Sequence, residues 1–297
     1  MRFIHPKRVC RALKKGLQDW FFFYLIPDEW EIRYRFYRLL GYKCNLNCPR
    51  TFNEKIQWLK LHDRNPLFHE LIDKIRVKEF VSRELGPEYV IPILTEGFSH
   101  FDDIPFDNLP QQFVLKCNHD CKSVVICMDK NSFDYSAAKT KIEKALKRDF
   151  YHHYGKPWGC KGISPLVFAE SFMGEGLRDY KFFMFNGQCK CIATFDDRLV
   201  NRLRSNFYDT EWNLLPFVWG GRANTDYPIP KPENLGEMLS VATKLASFVN
   251  APLVRIDLYN IHNQIYFGEY TFYPGGGFDR FEPEEWDSIL GDYLTIP

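Results

Sequence analysis

Asp257 and Glu269 stand twelve residues apart in RIDLYNIHNQIYFGEYTF (255–272), each set among β-branched and aromatic residues. A polar turn, Asn260-Ile261-His262-Asn263-Gln264, lies between them. Strand-like runs on both sides of such a turn predict a hairpin, and a hairpin can bring both carboxylates to one face. Two carboxylates held together repel unless one is protonated or a cation lies between them. Arg255 is the only nearby neutraliser in the stretch. Hard oxygen ligands on a rigid hairpin suit Mg2+, which takes one or two carboxylates and leaves room for substrate phosphates. The alternative is a pair of solvated hairpin positions, which the flanking Ile256, Leu258, Phe267 and Tyr270 disfavour. Complementary charge comes from Lys116 in QFVLKCNH, where an ammonium on a buried strand is costly unless it meets an anion, and can serve as a point charge for phosphate. Lys74, in IDKIR, is a further candidate, against the plainer reading of a solvated helix face. Glu170 closes the apolar part of PLVFAESFM, where it either reads an adenine amino group or is a strand-end charge.

The elements that must position these groups follow from pattern and punctuation. The spacing predicts helices over 28–43 (ending at Gly41), 51–63, from Pro66 to Gly86, over 133–154 and over 234–250. Thr51 followed by Glu54 is a capping-box pattern. Strands are expected at 89–94, 112–119, 123–129, 165–173, 180–187 and 189–197, the last two joined at Asn186-Gly187. Helices, a small mixed lobe and then antiparallel strands make an α+β protein with a cleft between two lobes.

Composition bounds the partners. A net charge of +1 over 297 residues provides no bulk field for nucleic acid. Ten Lys/Arg against four Asp/Glu in residues 1–48 make that segment locally basic. WFFFYLIP (20–27), preceded by Arg2, Lys7, Arg8, Arg11, Lys14 and Lys15, can lie on an anionic membrane surface or pack on the domain by its aromatic face. No run of about 18 apolar residues suggests a span. Nine cysteines without a secretory framework read as reduced thiols of a cytosolic protein. None of their pairings has zinc-ribbon spacing, so they read as small buried hydrophobes.

A lysine on a helix, a lysine on a strand, an E-x-[FY]-[LM] element and a D…E pair near the C-terminus occur here in fixed order. The set resembles the ATP-grasp superfamily. FNEKIQWLKLHDRNPL, FVLKCNH, LRDYKFFMFNG, VRIDLY and YFGEYTFYPGGG look like its TupA-like, teichuronopeptide-synthesis branch, over roughly residues 49–297. The resemblance implies two lobes, each on a mainly antiparallel sheet with helices, around a nucleotide cleft, after a basic helical segment (1–48). It divides the rest into an N-terminal part of the core (49–95), a small lid lobe (96–164) and a C-terminal lobe with the Mg2+ site (165–297). By position, Lys74 and Lys116 resemble the lysines that hold the α- and β-phosphates of ATP. Glu170 and the Phe172–Met173 backbone resemble the adenine hinge, and Asp179 the ribose acid. Lys181 resembles the basic residue facing the γ-phosphate or acyl phosphate, and Arg198 is placed on the substrate carboxylate. Arg255 is counted with these catalytic cations. Asp257, Glu269 and Thr271 are the implied Mg2+ ligands, with Gly275, Gly276 and Gly277 letting backbone approach the acceptor.

The sequence departs from the branch in two places. Asn118-His119-Asp120-Cys121-Lys122-Ser123 follows the strand lysine without a glycine, so that either Lys122 compensates by charge or the nucleotide site is weakened. Thr271 stands where asparagine is common and is a poorer ligand. The implied activity is an ATP-dependent carboxylate–amine ligation through an acyl phosphate. It would join an amino acid or amino group to a uronic-acid carboxylate on a glycan, sugar nucleotide or lipid-linked sugar. The expected place is the cytoplasm, at the inner face of the membrane if residues 1–27 bind there. A glycan kinase, a glycosyltransferase and a non-catalytic nucleotide-binding module are the alternatives.

Overall fold

The computed structural model describes residues 25–121, 123–175, 177–196 and 203–297, and the fold is α+β. Helices α1 (Asp28–Leu40), α2 (Phe52–His62), α3 (Leu67–Ile72) and α4 (Arg76–Glu84) come first. A small antiparallel sheet follows, in the order β2-β1-β3, from β1 (Phe113–Cys117), β2 (Val125–Cys127) and β3 (Val167–Ser171). Between β2 and β3 run α5 (Tyr135–Leu146) and the short α6 (Phe150–His153). The large antiparallel sheet, ordered β6-β5-β4-β8-β9, uses β4 (Asp179–Phe185), β5 (Gln188–Asp196), β6 (Arg204–Tyr208), β8 (Leu253–Ile261) and β9 (Gln264–Thr271). Helix α7 (Leu235–Val249) precedes β8; a ribbon of β7 (Val218–Trp219) and β10 (Phe281–Glu282) and helix α8 (Glu285–Tyr293) complete the chain.

Two apolar clusters separate the lobes. The larger joins the five-stranded sheet to α2, α3, α4, α7 and α8. The smaller joins β1 and β3 to α5, with Phe101, Ile104 and Leu109. Every residue of β4 is buried, so YKFFMF is covered on both faces, as an uninterrupted apolar run requires. Each such side chain contributes about 1.5–3 kcal/mol on burial, which makes this sheet the rigid floor of the molecule. Both hairpins next to that floor turn on two residues at positive φ, Asn186-Gly187 and His262-Asn263, the backbone that suits the right-handed strand twist.

The structure keeps the capping box: the Glu54 amide donates to Thr51 Oγ1 at 3.2 Å and the Thr51 amide to Glu54 Oε2 at 3.3 Å. It differs from the sequence expectation at four places. The helix expected from 66 to 86 breaks between Ile72 and Arg76, because the Asp73 carboxylate accepts from the amides of Ile75 and Arg76 and so starts a new helix. Lys74 therefore sits in a break and not on a helix face. The helix expected over 133–154 splits likewise, with the Asp149 carboxylate capping the second piece. Residues 89–94 form no strand: Pro92 removes a ladder donor, and the segment makes only single bridges, Val90 to Phe267 and Ile93 to Glu170. Finally, β3 pairs with β1, so the small lobe runs through Ser171 and past the expected boundary at 164. Lys122, Arg198 and residues 1–24 of the basic segment lie outside the described residues.

Candidate active site

Lys181, Asp257 and Glu269 lie side by side on adjacent strands, because the register pairs Lys181 with Asp257 and Asp257 with Glu269. A bulge follows at once: Leu258 pairs with Phe267, leaving Gly268 over. A Cβ on Gly268 would come 3.0 Å from the Asp257 carbonyl oxygen, so this glycine lets the strands close while the bulge re-aims the carboxylates. Arg255 lies two residues before Asp257, hence on the same face. Its Nε and Nη2 donate to the two oxygens of Asp257 at 2.6 and 2.7 Å, and Nη2 also reaches Glu269 at 3.1 Å. Lys181 pairs with Asp257 and lies 3.4 Å from Asp179. Lys74 stands 3.8 Å from Glu269, and Thr271 Oγ1 donates to Glu269 at 3.1 Å.

Lys116 pairs across the opposite wall with Glu170, whose other oxygen takes Lys78 at 2.7 Å. Lys78 also donates to the Ile91 carbonyl. The Glu170 carboxylate thus has both oxygens engaged and locks two lysines in place. Phe172 and Met173 follow β3, and the cavity wall includes Glu170 but neither of them. The glycine-free loop has its own closure: Asp120 accepts from the amide and hydroxyl of Ser123, and Ser123 Oγ accepts from the Cys117 amide. Side-chain bonds here do what glycines do in a tighter turn. Asp120 also brings a carboxylate to the cavity.

These residues enclose one cavity of about 640 Å3, large enough for a nucleotide-sized ligand. Among the described residues its wall carries six cationic side chains and six carboxylates. Burial pushes the Glu269 carboxyl up, but Lys74, Arg255 and Lys181 outweigh it and hold it well below the usual carboxylate range. Burial likewise lowers the ammonium pKa of Lys181 in spite of Asp257, and that of Lys78 in spite of Glu170. Burial alone would lower Lys74, but Glu269 leaves it raised.

No cluster of three His, Cys, Asp or Glu side chains suited to a metal occurs among the described residues. The oxygen donors that the closing hairpin offers are the carboxylate pair Asp257 and Glu269 with the Thr271 hydroxyl beside it. That fits Mg2+, which completes its shell with water and substrate phosphate, and does not fit a structural metal. Sequence reasoning misses Lys78, Asp120, Phe195, Trp219, Arg222 and Asp279, all on the cavity wall. Only Lys78 has a sequence signal, its spacing of four residues from Lys74.

No curated protein matches the chain. Among solved structures, the L-amino acid ligase from Bacillus licheniformis is similar over 91% of this chain and 63% of its own, at 11% identity and a TM-score of 0.50. The D-alanine–D-alanine ligase from Bacillus anthracis is similar over 68% of this chain at 16% identity and a TM-score of 0.41, and this chain covers 57% of it. That from Helicobacter pylori is similar over 82% of this chain and 69% of its own, at 14% identity and a TM-score of 0.42. At 11% identity the likeness to the L-amino acid ligase speaks for the fold alone. The description TupA-like ATP-grasp matches residues 54–295, and with the strand-borne Lys181–Asp257–Glu269 row inside that span, the chain belongs to the TupA-like ATP-grasp family.

Proposed function

We propose that this protein is an ATP-dependent carboxylate–amine ligase that works through an acyl phosphate. The observation that carries the proposal is the cavity itself: Lys74, Lys116, Lys181 and Arg255 converge on one space, with two carboxylates held ready beside them. Among the described residues six cations already balance six carboxylates, so a bare triphosphate would leave surplus negative charge. Mg2+ held by Asp257 and Glu269 would supply the missing positive charge and polarise the phosphoryl oxygens. Lys116, fixed by Glu170 on the small lobe, and Lys74, fixed beside Glu269 on the large one, are placed to grip the inner phosphates from two sides. Asp179, at the start of β4, is assigned to the ribose, and the backbone after Glu170 to the adenine. Lys181 and Arg255 face the reacting centre. A substrate carboxylate oxygen attacks the γ-phosphorus, the bond to the β-phosphate oxygen breaks, and ADP leaves. An amine then attacks the acyl carbon and phosphate departs with the electron pair. Positioning and charge neutralisation suffice for both steps, and no side-chain nucleophile is required.

The substrate class rests on the family: a uronic-acid carboxylate of a glycan, sugar nucleotide or lipid-linked sugar, and an amino acid or amino group, in surface polysaccharide synthesis. The basic, aromatic residues 1–27 support contact with an anionic membrane surface, although no helix among the described residues is long and apolar enough to cross a membrane. The decisive experiment incubates the protein with ATP, Mg2+, glucuronate or galacturonate and a panel of amines. ADP and phosphate released only when both an acid and an amine are present is the expected result. ADP release with a phosphorylated sugar and no need of an amine would replace the ligase by a kinase.

A further inference from the structure

The end of the cavity beyond Lys181 is built by residues that nucleotide binding does not use. Trp219 closes β7, is 2% exposed and lines the cavity, and its Nε1 has no hydrogen-bond partner among the described residues. A buried indole N–H ordinarily finds an acceptor. Beside it stand Arg222 and Asp279, their Nη1 and Oδ2 3.6 Å apart and each side chain about 30% exposed. The two charges are within reach of each other yet loosely joined. Gly220 and Gly275 beside them have positive φ and no room for a side chain. A Cβ on Gly220 would lie 2.4 Å from Arg222 Nη1, and one on Gly275 would lie 2.6 Å from Trp219 Cζ2 and 2.7 Å from Asp279 Oδ2. Cζ2 and Nε1 share an edge of the indole, so Gly275 leaves open the side on which the N–H lies. The cluster is rigidly mounted: Asn53 on α2 donates to the Asp279 carbonyl at 3.0 Å, and the Gly220 amide to the Arg280 carbonyl at 2.9 Å. It is also tied to the reacting centre. The Phe195 ring carries the Lys181 ammonium at 5.2 Å and the Arg222 guanidinium at 5.6 Å.

We infer that Arg222, Asp279 and Trp219 form the subsite of the amine substrate, and that this substrate is a free α-amino acid bound as its zwitterion. The inference rests on the ligase reading above and names the second substrate of the same site. A guanidinium takes a carboxylate by paired N–H donors, and the indole N–H adds a third donor. The neighbouring carboxylate takes the ammonium. A simple amine would bring a second positive charge to Arg222, whereas an amino acid neutralises both partners of the loose pair. An attacking nitrogen must first lose a proton. The Asp279 carboxylate accepts one proton from the ammonium. The neutral nitrogen attacks the acyl carbon, the bond from carbon to phosphate oxygen breaks, and the second proton leaves with phosphate as the amide forms. Burial raises the Asp279 carboxyl above its ordinary value, against the pull of Arg222, which strengthens it as an acceptor.

The test is ligand-observed NMR on the full chain, with and without AMP-PNP and Mg2+, against the common amino acids, their amides, D-glucuronate and glucosamine. At least one free amino acid should bind, and its amide at least tenfold more weakly. Arg222→Gln should weaken that amino acid at least tenfold and erase the preference over the amide, while AMP-PNP affinity and the melting midpoint stay unchanged. Trp219→Phe keeps the ring, removes the N–H and should weaken the amino acid several-fold. The inference is overturned if no amino acid binds, if the amide binds equally well, or if glucuronate is the ligand that depends on Arg222. Missing AMP-PNP uptake would defeat the ligase reading alone, because the amino-acid arms are also run without nucleotide.

Discussion

Lys60 is the strongest case for a measurable consequence of burial. Its side chain lies on α2, 2% exposed, and donates to Gln57 Oε1 and to the Gly276 carbonyl in the turn that follows β9. The Phe278 ring lies 4.2 Å away and favours the cation. Burial prevails, joined by repulsion from Arg35, and lowers the ammonium pKa from 10.5 to about 7. Between these two values the unfolded chain binds a proton that the folded chain does not. Stability therefore rises with pH across that window, by about 1.4 kcal/mol per pH unit at full difference. Below about pH 7 both states are protonated and the cost of the buried charge is fully present; above about 10.5 neither is and the cost is gone. Lys60→Met keeps the side-chain length and has no proton to bind. It loses the bonds to Gln57 and Gly276, an offset that varies little with pH. Urea unfolding followed by tryptophan fluorescence at several pH values compares the two proteins. Wild-type stability minus variant stability should rise by roughly 2–3 kcal/mol from about pH 7.5 to about pH 9.5. Parallel curves would refute the reasoning and mean that the Phe278 face and the carbonyl keep Lys60 charged.

Three further outcomes follow from the same geometry. Lys116→Ala and Glu269→Gln should each abolish turnover with folding intact, and Glu269→Gln should also remove most of the Mg2+ dependence of ATP affinity in calorimetry; near-normal turnover in either would dismiss that assignment. Gly277→Ala meets φ +66° and places a Cβ 2.4 Å from Gln57 Nε2 and 2.8 Å from Ile56 Cγ2, so urea unfolding should show a loss of roughly 2–4 kcal/mol, and an unchanged midpoint would contradict the packing. Removing residues 1–24 should end co-sedimentation with vesicles containing phosphatidylserine, and undiminished sedimentation would end the membrane proposal.

The closing hairpin is legible in the sequence because two strand-like runs flank one polar turn, but the register counted from that turn pairs Asp257 with Gly268, and only the bulge, which spacing does not show, sets Asp257 beside Glu269. The capping box at Thr51 is legible for the same local reason. The break at Asp73 is not, because helix periodicity continues through it and only the carboxylate's bonds to the next amides and to Asn118 decide it. The pairing of β3 with β1 escapes notice because the residues between them supply no register signal. Arg222 and Asp279 are invisible for a different reason. They come from the segment after β7 and the segment before β10, and meet only when the fold brings distant parts of the chain together. The role of Glu170 shows the limit of motif reading: its position is predictable, but its engagement with two lysines depends on a helix that the motif does not contain.

Arg255 grips both oxygens of Asp257 and also reaches Glu269. The hairpin thus carries its own internal counter-ion, and its assembly owes nothing to a divalent cation. Chelators should leave the melting temperature where it is while silencing any turnover that needs magnesium. Under the proposed ligase activity the metal would be a passenger arriving with each nucleotide, and the guanidinium would keep its seat between visits.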